Sequence, residues 1–257
     1  MYLCMVFIPV YVPGAINAPS AGINILKKRK NYMKHTVWLL ILLGIGTASQ
    51  AQRRFSMDRV RLGFKLDPII SVLKPQDAGA NRTSSRLGLS YGLMADFLLN
   101  EEGNYAFATG LQISMGGSTL KYDAGKGVER FRQDPTEYTM KLQHIEIPAT
   151  IKLKTTAYNG IAAWGQFGTY LGFPIRGRAD VISRSERYDK ENVLGDLNPI
   201  NAGLLLGAGV EYPLGERLTA VVGLIYQNGF VDVTRNAKWD DGKVNMNSFA
   251  LRLGMYF

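Results

Sequence analysis

Hydrophobic and polar residues alternate along most of the chain. Its last eleven residues do so without a fault. Phe249, Leu251, Leu253, Met255 and Phe257 fall on one side of an extended chain, and Ser248, Ala250, Arg252, Gly254 and Tyr256 on the other. A period of two marks a strand with one greasy face and one small or polar face. Seven further segments read the same way, at about 59–72, 86–99, 105–116, 139–154, 161–175, 200–212 and 218–230. In the first, Val60, Leu62, Phe64 and Leu66 oppose Arg61, Gly63, Lys65 and Asp67. In the fourth, Ile145, Ile147, Ile151 and Leu153 oppose Glu146, Thr150 and Lys152.

The connections carry a second pattern. Segments 100–104, 155–160 and 213–217 are short and hold Gly, Asn-Gly or Pro-x-Gly turn signals. Segments 73–85, 117–138, 176–199 and 231–246 are long and polar. Long and short alternate along the chain. A transmembrane strand needs about 9–11 residues, and membrane barrels pair short periplasmic turns with long outer loops. The expectation is an all-β, eight-stranded antiparallel transmembrane β-barrel, with short periplasmic turns, long extracellular loops and both termini periplasmic. An even strand number leaves no free sheet edge.

Alternation alone does not say which face meets water. A soluble barrel buries its greasy face, and a membrane barrel shows it to lipid. Three features favour the membrane. The opposed face is rich in Gly, Ala and Ser, as a narrow interior requires. It carries both signs of charge, in Arg61, Lys65, Asp96, Glu146, Lys152, Glu211 and Arg252. Aromatic residues sit near strand ends, at Tyr105, Phe173, Tyr212, Phe230, Phe249 and Phe257, where interfacial girdles belong. Buried charges of opposite sign should pair, so these seven residues are the expected interior charge network of a closed plug rather than an ion pore.

No run of 18 apolar residues exists, which argues against a helical membrane protein. Residues 33–51 read as a secretory signal: Lys34 is the charged start, Val37 to Ile45 the apolar middle, and Ser49-Gln50-Ala51 the cleavage site. Residues 1–32 read as an extension set before the true start at Met33, and the barrel domain as residues 55–257. The net charge is +9, but five basic residues and no acid lie within residues 1–51, leaving +4 beyond them. The basic balance is therefore poor support for nucleic-acid binding, and none is expected. The sole cysteine, Cys4, also precedes the cleavage site. That excludes a lipid-anchored lipoprotein, a disulfide and a thiol site in the remainder.

Chemistry is sparse. His144 is the one histidine beyond residue 51, so a Ser-His centre would have to use it. Gln143 and Glu146 beside it form no nucleophile motif, and no Gly-x-Ser-x-Gly or phosphate loop appears. A histidine at a strand end most often faces an interface or a loop. Asp240-Asp241-Gly242 lacks the spaced ligands of a calcium loop. The expectation is no enzyme, no cofactor and no metal. Pro148 interrupts a strand, as a bulge beside Glu146 or as a structural kink.

The stretch Leu142-Gln-His-Ile-Glu-Ile-Pro-Ala-Thr-Ile-Lys-Leu-Lys154 resembles the L-x-x-[IL]-E-[IL]-P-x-x-[IL]-K segment of PorT-like outer-membrane β-barrel proteins of Bacteroidetes-type bacteria. Gly165-Gln-Phe-Gly-Thr-Tyr-Leu-Gly172 and Gly207-Ala-Gly-Val-Glu211 look like that family's next two strands. The resemblance covers nearly all of residues 55–257 and implies a barrel in the cell outer membrane. It also implies, as a second possibility beside a structural or interaction role, an accessory part in a protein-secretion machine; a lipid-modifying barrel enzyme is the third. Expected partners are outer-membrane lipid and lipopolysaccharide, the barrel-insertion machinery, and envelope or secretion proteins. The terminal aromatic Phe257 is the expected insertion signal, closing the barrel against the first strand.

Overall fold

Strands form where the alternation runs, and they run further than it suggests. The computed structural model describes residues 59–257 apart from Glu216. The extension and signal assigned to residues 1–51 lie outside the described residues. Among the described residues nine strands make one antiparallel sheet: β1 (Val60–Pro75), β2 (Ala80–Leu98), β3 (Tyr105–Tyr122), β4 (Thr136–Lys154), β5 (Ala162–Ser183), β6 (Glu186–Asn192), β7 (Asn201–Pro213), β8 (Thr219–Gly229) and β9 (Val244–Tyr256). Following the pairings from β1 through β2, β3, β4, β5, β7, β8 and β9 returns to β1, so the sheet closes on itself. Among the described residues β6 pairs with the end of β5 alone.

The predicted faces hold. In β1 the outward Leu62, Phe64, Leu66 and Ile70 are about half exposed, while Lys65 and Asp67 are buried. The same division runs through β3, β4, β7, β8 and β9. We call the end carrying Val60 and Phe257 the terminal end, and the other the distal end. At the terminal end the Asn-Gly signal forms its turn: Asn159 and Gly160 both take positive φ, 51° and 81°. Tyr158 and Ile161 exchange backbone hydrogen bonds of 2.9 and 3.0 Å across it, the two-residue hairpin that suits strand twist.

The expected long loops change in three places. The segment 73–85 is not a long loop, because β1 and β2 continue to a tight connection at 76–79. Likewise β3 and β4 extend deep into 117–138, and 176–199 contains the end of β5 and all of β6. The β5–β6 hairpin turns on Arg184 and Ser185, both at positive φ without glycine, which is why no turn signal marked it. Pro148 makes no bulge: β3 and β4 keep one register from Thr109↔Ala149 to Gln112↔Glu146. The irregularity lies between Gln143 and His144, opposite Pro174 of β5.

Inside the distal part of the wall sits an apolar core. Leu73, Leu120, Tyr122, Tyr138, Met140, Leu142, Val181, Leu197 and Val244 all point inward and are buried. Trp239 closes it from a single helical turn, Asn236–Trp239. Its ring lies 5.0 Å from that of Tyr138 and 5.7 Å from that of Tyr122, and its Nε1 donates to the Asp196 carbonyl at 3.0 Å.

Candidate functional site

Because side chains in a strand alternate, every second residue of the closing strands enters the lumen. All seven predicted charges do so. Arg61 is partly exposed at the terminal end, and Lys65, Asp96, Glu146, Lys152, Glu211 and Arg252 are buried. Burial of this kind is costly unless each charge is paired and hydrogen-bonded.

Two clusters meet that demand. In the first, Lys152 Nζ donates to Asp96 Oδ2 at 2.9 Å, Glu211 Oε1 at 2.5 Å and Tyr256 Oη at 3.1 Å. Arg61 bridges to the other Glu211 oxygen at 3.0 Å, and Lys154 approaches the same oxygen at 3.6 Å. The Arg61 guanidinium also lies 4.3 Å above the Tyr256 ring. In the second, Asp67 Oδ2 accepts from Lys65 Nζ at 2.8 Å and Arg252 Nε at 2.9 Å. Asp67 Oδ1 takes the backbone N–H of Leu253 at 3.1 Å. Here the β1–β9 seam is unpaired from Leu66 to Pro68, since proline has no N–H to give, so a carboxylate stands in for the missing ladder.

Glu146 departs from the expected pattern. Among the described residues no cation pairs with it; its Oε2 accepts from Gln112 at 2.6 Å and Gln227 at 3.1 Å. Asp67 and Lys154 were not among the expected members. Asp67 was legible in principle, two residues from Lys65 and so on the same face. Phe257 lies beside β1: its N–H donates to the Leu62 carbonyl at 2.9 Å and its ring is 6.4 Å from that of Phe64.

His144 is not interface- or loop-facing. It is 1% exposed, inside the lumen, opposite Ser114 of β3, and its Nδ1 has no hydrogen-bond partner among the described residues. The rest of the lumen is filled by a mixture of buried polar side chains, among them Gln166, Asn201 and Ser248, and an apolar cluster around Trp164, Leu205 and Ile225. The Trp164 indole lies on the bare backbone of Gly209 and Gly223, where a Cβ would come within 2.7 and 2.4 Å of it. The glycines that opened a narrow interior thus form a plate for one large ring. The space left beside Lys65, Asp96 and Arg252 is about 20 Å³, room for a water molecule.

At the distal end the connections hold one another. Gly127 N–H donates to the Trp239 carbonyl at 2.7 Å, and Arg132 Nη2 to the Lys238 carbonyl at 2.9 Å. Phe131 packs on Tyr188 at 5.0 Å, and Arg130 pairs with Glu191. Asp241 is buried beneath this cap, accepting from Tyr122 Oη at 2.8 Å and Thr234 Oγ1 at 3.1 Å. Burial pushes its carboxyl up to about 6, against the pull of those hydrogen bonds. No group of three metal-binding side chains occurs among the described residues.

A closed antiparallel sheet that is greasy outside and charged within defines an integral outer-membrane β-barrel protein. The chain belongs to the outer membrane protein beta-barrel domain family, whose profile matches residues 48–250. Among curated proteins none matches the sequence. Similar solved structures include the Neisserial surface protein A, at 14% identity and TM-score 0.41, covering 76% of this chain and 95% of that one. The attachment invasion locus protein Ail of Yersinia pestis is 12% identical at TM-score 0.32, over 77% and 97%. The protein OprG of Pseudomonas aeruginosa is 12% identical at TM-score 0.36, over 77% and 93%.

Proposed function

We propose that this protein is a closed, eight-stave outer-membrane barrel without catalytic or channel activity, whose role is structural or interactive and exercised through its distal cap. The observation that carries the reading is the filled lumen. Among the described residues, paired charges, the Trp164 plate and the distal apolar core occupy the lumen. Barrels of eight strands have interiors that side chains just fill. In this reading the terminal end faces the periplasm, the longer distal connections face outward, and Phe257 serves as the insertion signal.

Planar-bilayer recording of the refolded barrel tests it: only background current is expected, and a large, stable single-channel conductance would overturn the plug. For the absence of catalysis, the His144→Ala protein should behave as the parent in lipase and acyltransferase assays. An activity in the parent that vanishes in the variant would establish an enzyme. A second reading, an accessory part in a secretion machine, is favoured by the resemblance carried by residues 142–154. Deletion of the gene would then strand secreted cargo in the periplasm, whereas a structural barrel would leave secretion intact.

A further inference from the structure

The outward apolar belt ends at a defined height, and the side chains just beyond it are not evenly distributed. On β9 and β8 they are the amides Asn245, Asn247 and Asn228, with the single cation Lys74 of β1 opposite Asn245. On β2, β4 and β5 they are Arg86, Lys141, Arg176 and Arg178. Lys141 stands opposite Arg178, and Gln143 opposite Arg176, so the cations share one patch. Lys141 pairs with Asp180; the side chains of Arg86, Arg176 and Arg178 have no acidic partner among the described residues.

Local backbone builds a groove under that patch. The β2–β3 ladder breaks between Ser85 and Leu89. Ser71 of β1 fills the break: its Oγ accepts the Gly117 N–H at 2.7 Å and donates to the Gly117 carbonyl at 2.9 Å. The displaced Arg86 lays its chain across Gly117, its Cδ 3.3 Å from where a Cβ would stand. Gly117 holds φ of 142°, outside the range a larger residue adopts without strain. The result is a groove of about 310 Å³ with Arg86, Lys141 and Arg176 at its distal rim and Leu87, Leu89 and Met115 toward the belt. Leu87 is 77% exposed, the most open of the apolar wall residues here.

Cations above and bare apolar surface below, in one groove at the belt edge, match an amphiphile with an anionic head and a hydrocarbon tail. A free phosphate would use only the rim, and a neutral lipid only the floor. Planar guanidinium groups suit the bidentate grip on phosphate oxygens. We infer that this groove binds a phosphorylated lipid of the membrane leaflet at the distal end, with the phosphate held by Arg86 and Arg176 and an acyl chain along Leu87 and Met115. The inference rests on the wall crossing the membrane and is indifferent to which end faces outward.

The test uses the folded barrel in detergent, with phosphatidic acid and phosphatidylcholine as probes and retained lipid counted by native mass spectrometry. The parent should prefer phosphatidic acid, and Arg86→Gln/Arg176→Gln should lower that preference at least roughly tenfold, by the attraction of a surface cation for anionic lipid. Lys74→Gln/Lys121→Gln, which removes cations elsewhere on the distal wall, should leave it unchanged. The inference falls if the arginine pair keeps the preference, or if the lysine pair loses as much. It falls also if millimolar inorganic phosphate displaces the lipid, which would make the rim a free-anion site. Should the arginine pair not fold, the parent's preference is measured between about 50 and 500 mM salt; it must drop steeply, and indifference to salt would overturn the assignment.

Discussion

The same strands build two walls of opposite polarity. Along β1 one set of alternate residues enters the lumen throughout, yet it runs Lys65, Asp67, Ile69, Ser71 and then Leu73, while the outward set runs Phe64, Leu66, Pro68, Ile70, Val72 and then Lys74. In β4 the inward set runs Lys152, Thr150, Glu146, His144 and then Leu142, Met140, Tyr138, with Lys141 and Glu137 now outward. Strand geometry does not change at the crossing; the solvent does. Against hydrocarbon, the outside must be apolar, and the lumen can hold charge because it is sealed and paired. Against water, the ordinary arrangement returns, with an apolar core inside and polar residues outside. The crossing, near Ser71, Ser118, His144 and Ser248, marks the membrane boundary from within.

The largest expected effect breaks the charged lumen. Lys152→Ala leaves Asp96 and Glu211 buried with their main partner gone, which costs about 3–5 kcal/mol. The urea midpoint of the refolded barrel should fall accordingly. If pairing is the cause, Lys152→Met with Asp96→Asn and Glu211→Gln should recover most of the loss. Equal destabilisation of single and triple variants would assign the loss to packing.

Removing Trp239 attacks the other wall. Trp239→Ala deletes the ring that seals Tyr122 and Tyr138, with a local cost of about 3 kcal/mol or more. The damage should stay in the cap. Amide exchange should quicken at 123–135 and 230–243 while the terminal half keeps its protection and its heat-modifiable migration. Collapse of both would mean that the two regions fold as one unit.

A pair of substitutions on β1 locates the boundary itself. Leu66→Arg places a charge against hydrocarbon at mid-wall and should cost about 2–4 kcal/mol. Lys74→Leu, outward on the same strand beyond the crossing, should stay within about 0.5 kcal/mol. Similar costs at both positions would refute the change of solvent between them.

This division also explains what the sequence showed and what it hid. Lipid-facing residues are uniformly greasy, so the faces of the eight segments could be read directly, and with them the seven lumen charges. Ion-pair partners are set by curvature and register, which bring Lys152 to Glu211 and Arg252 to Asp67 across large sequence distances. Beyond the boundary the polarity exchanges sides. Leu120, Tyr122, Tyr138 and Met140 fall out of phase with a rule that places apolar residues outward, and 117–138 reads as a loop. β6 was hidden for a different reason, since its turn uses Arg184 and Ser185 where glycine is the usual signal. The Trp164 plate depends on glycines from β7 and β8 meeting a ring from β5, which no single segment reveals.

The smallest effect belongs to Asp241, which titrates in the distal core while the cap stays otherwise intact. Its carboxyl is pushed from 3.8 to about 6, chiefly by burial; Tyr122 and Thr234 donate to it and Asp232 repels its charge. A raised value means the folded cap holds its proton more tightly than the unfolded chain. That contribution is fully present below about pH 4 and is lost as pH rises through about 6. Between pH 5 and 7.5 the cap should weaken by about 1 kcal/mol, a five- to tenfold rise in its open population. Acrylamide quenching of Trp239, in a Trp38→Phe/Trp164→Phe background, should therefore be greater at pH 7.5 than at pH 5. Asp241→Asn should abolish the difference, because a neutral amide cannot titrate. Persistence of the pH effect in that variant would shift the switch to another group, and a reversed sign would mean that the hydrogen bonds from Tyr122 and Thr234 outweigh burial.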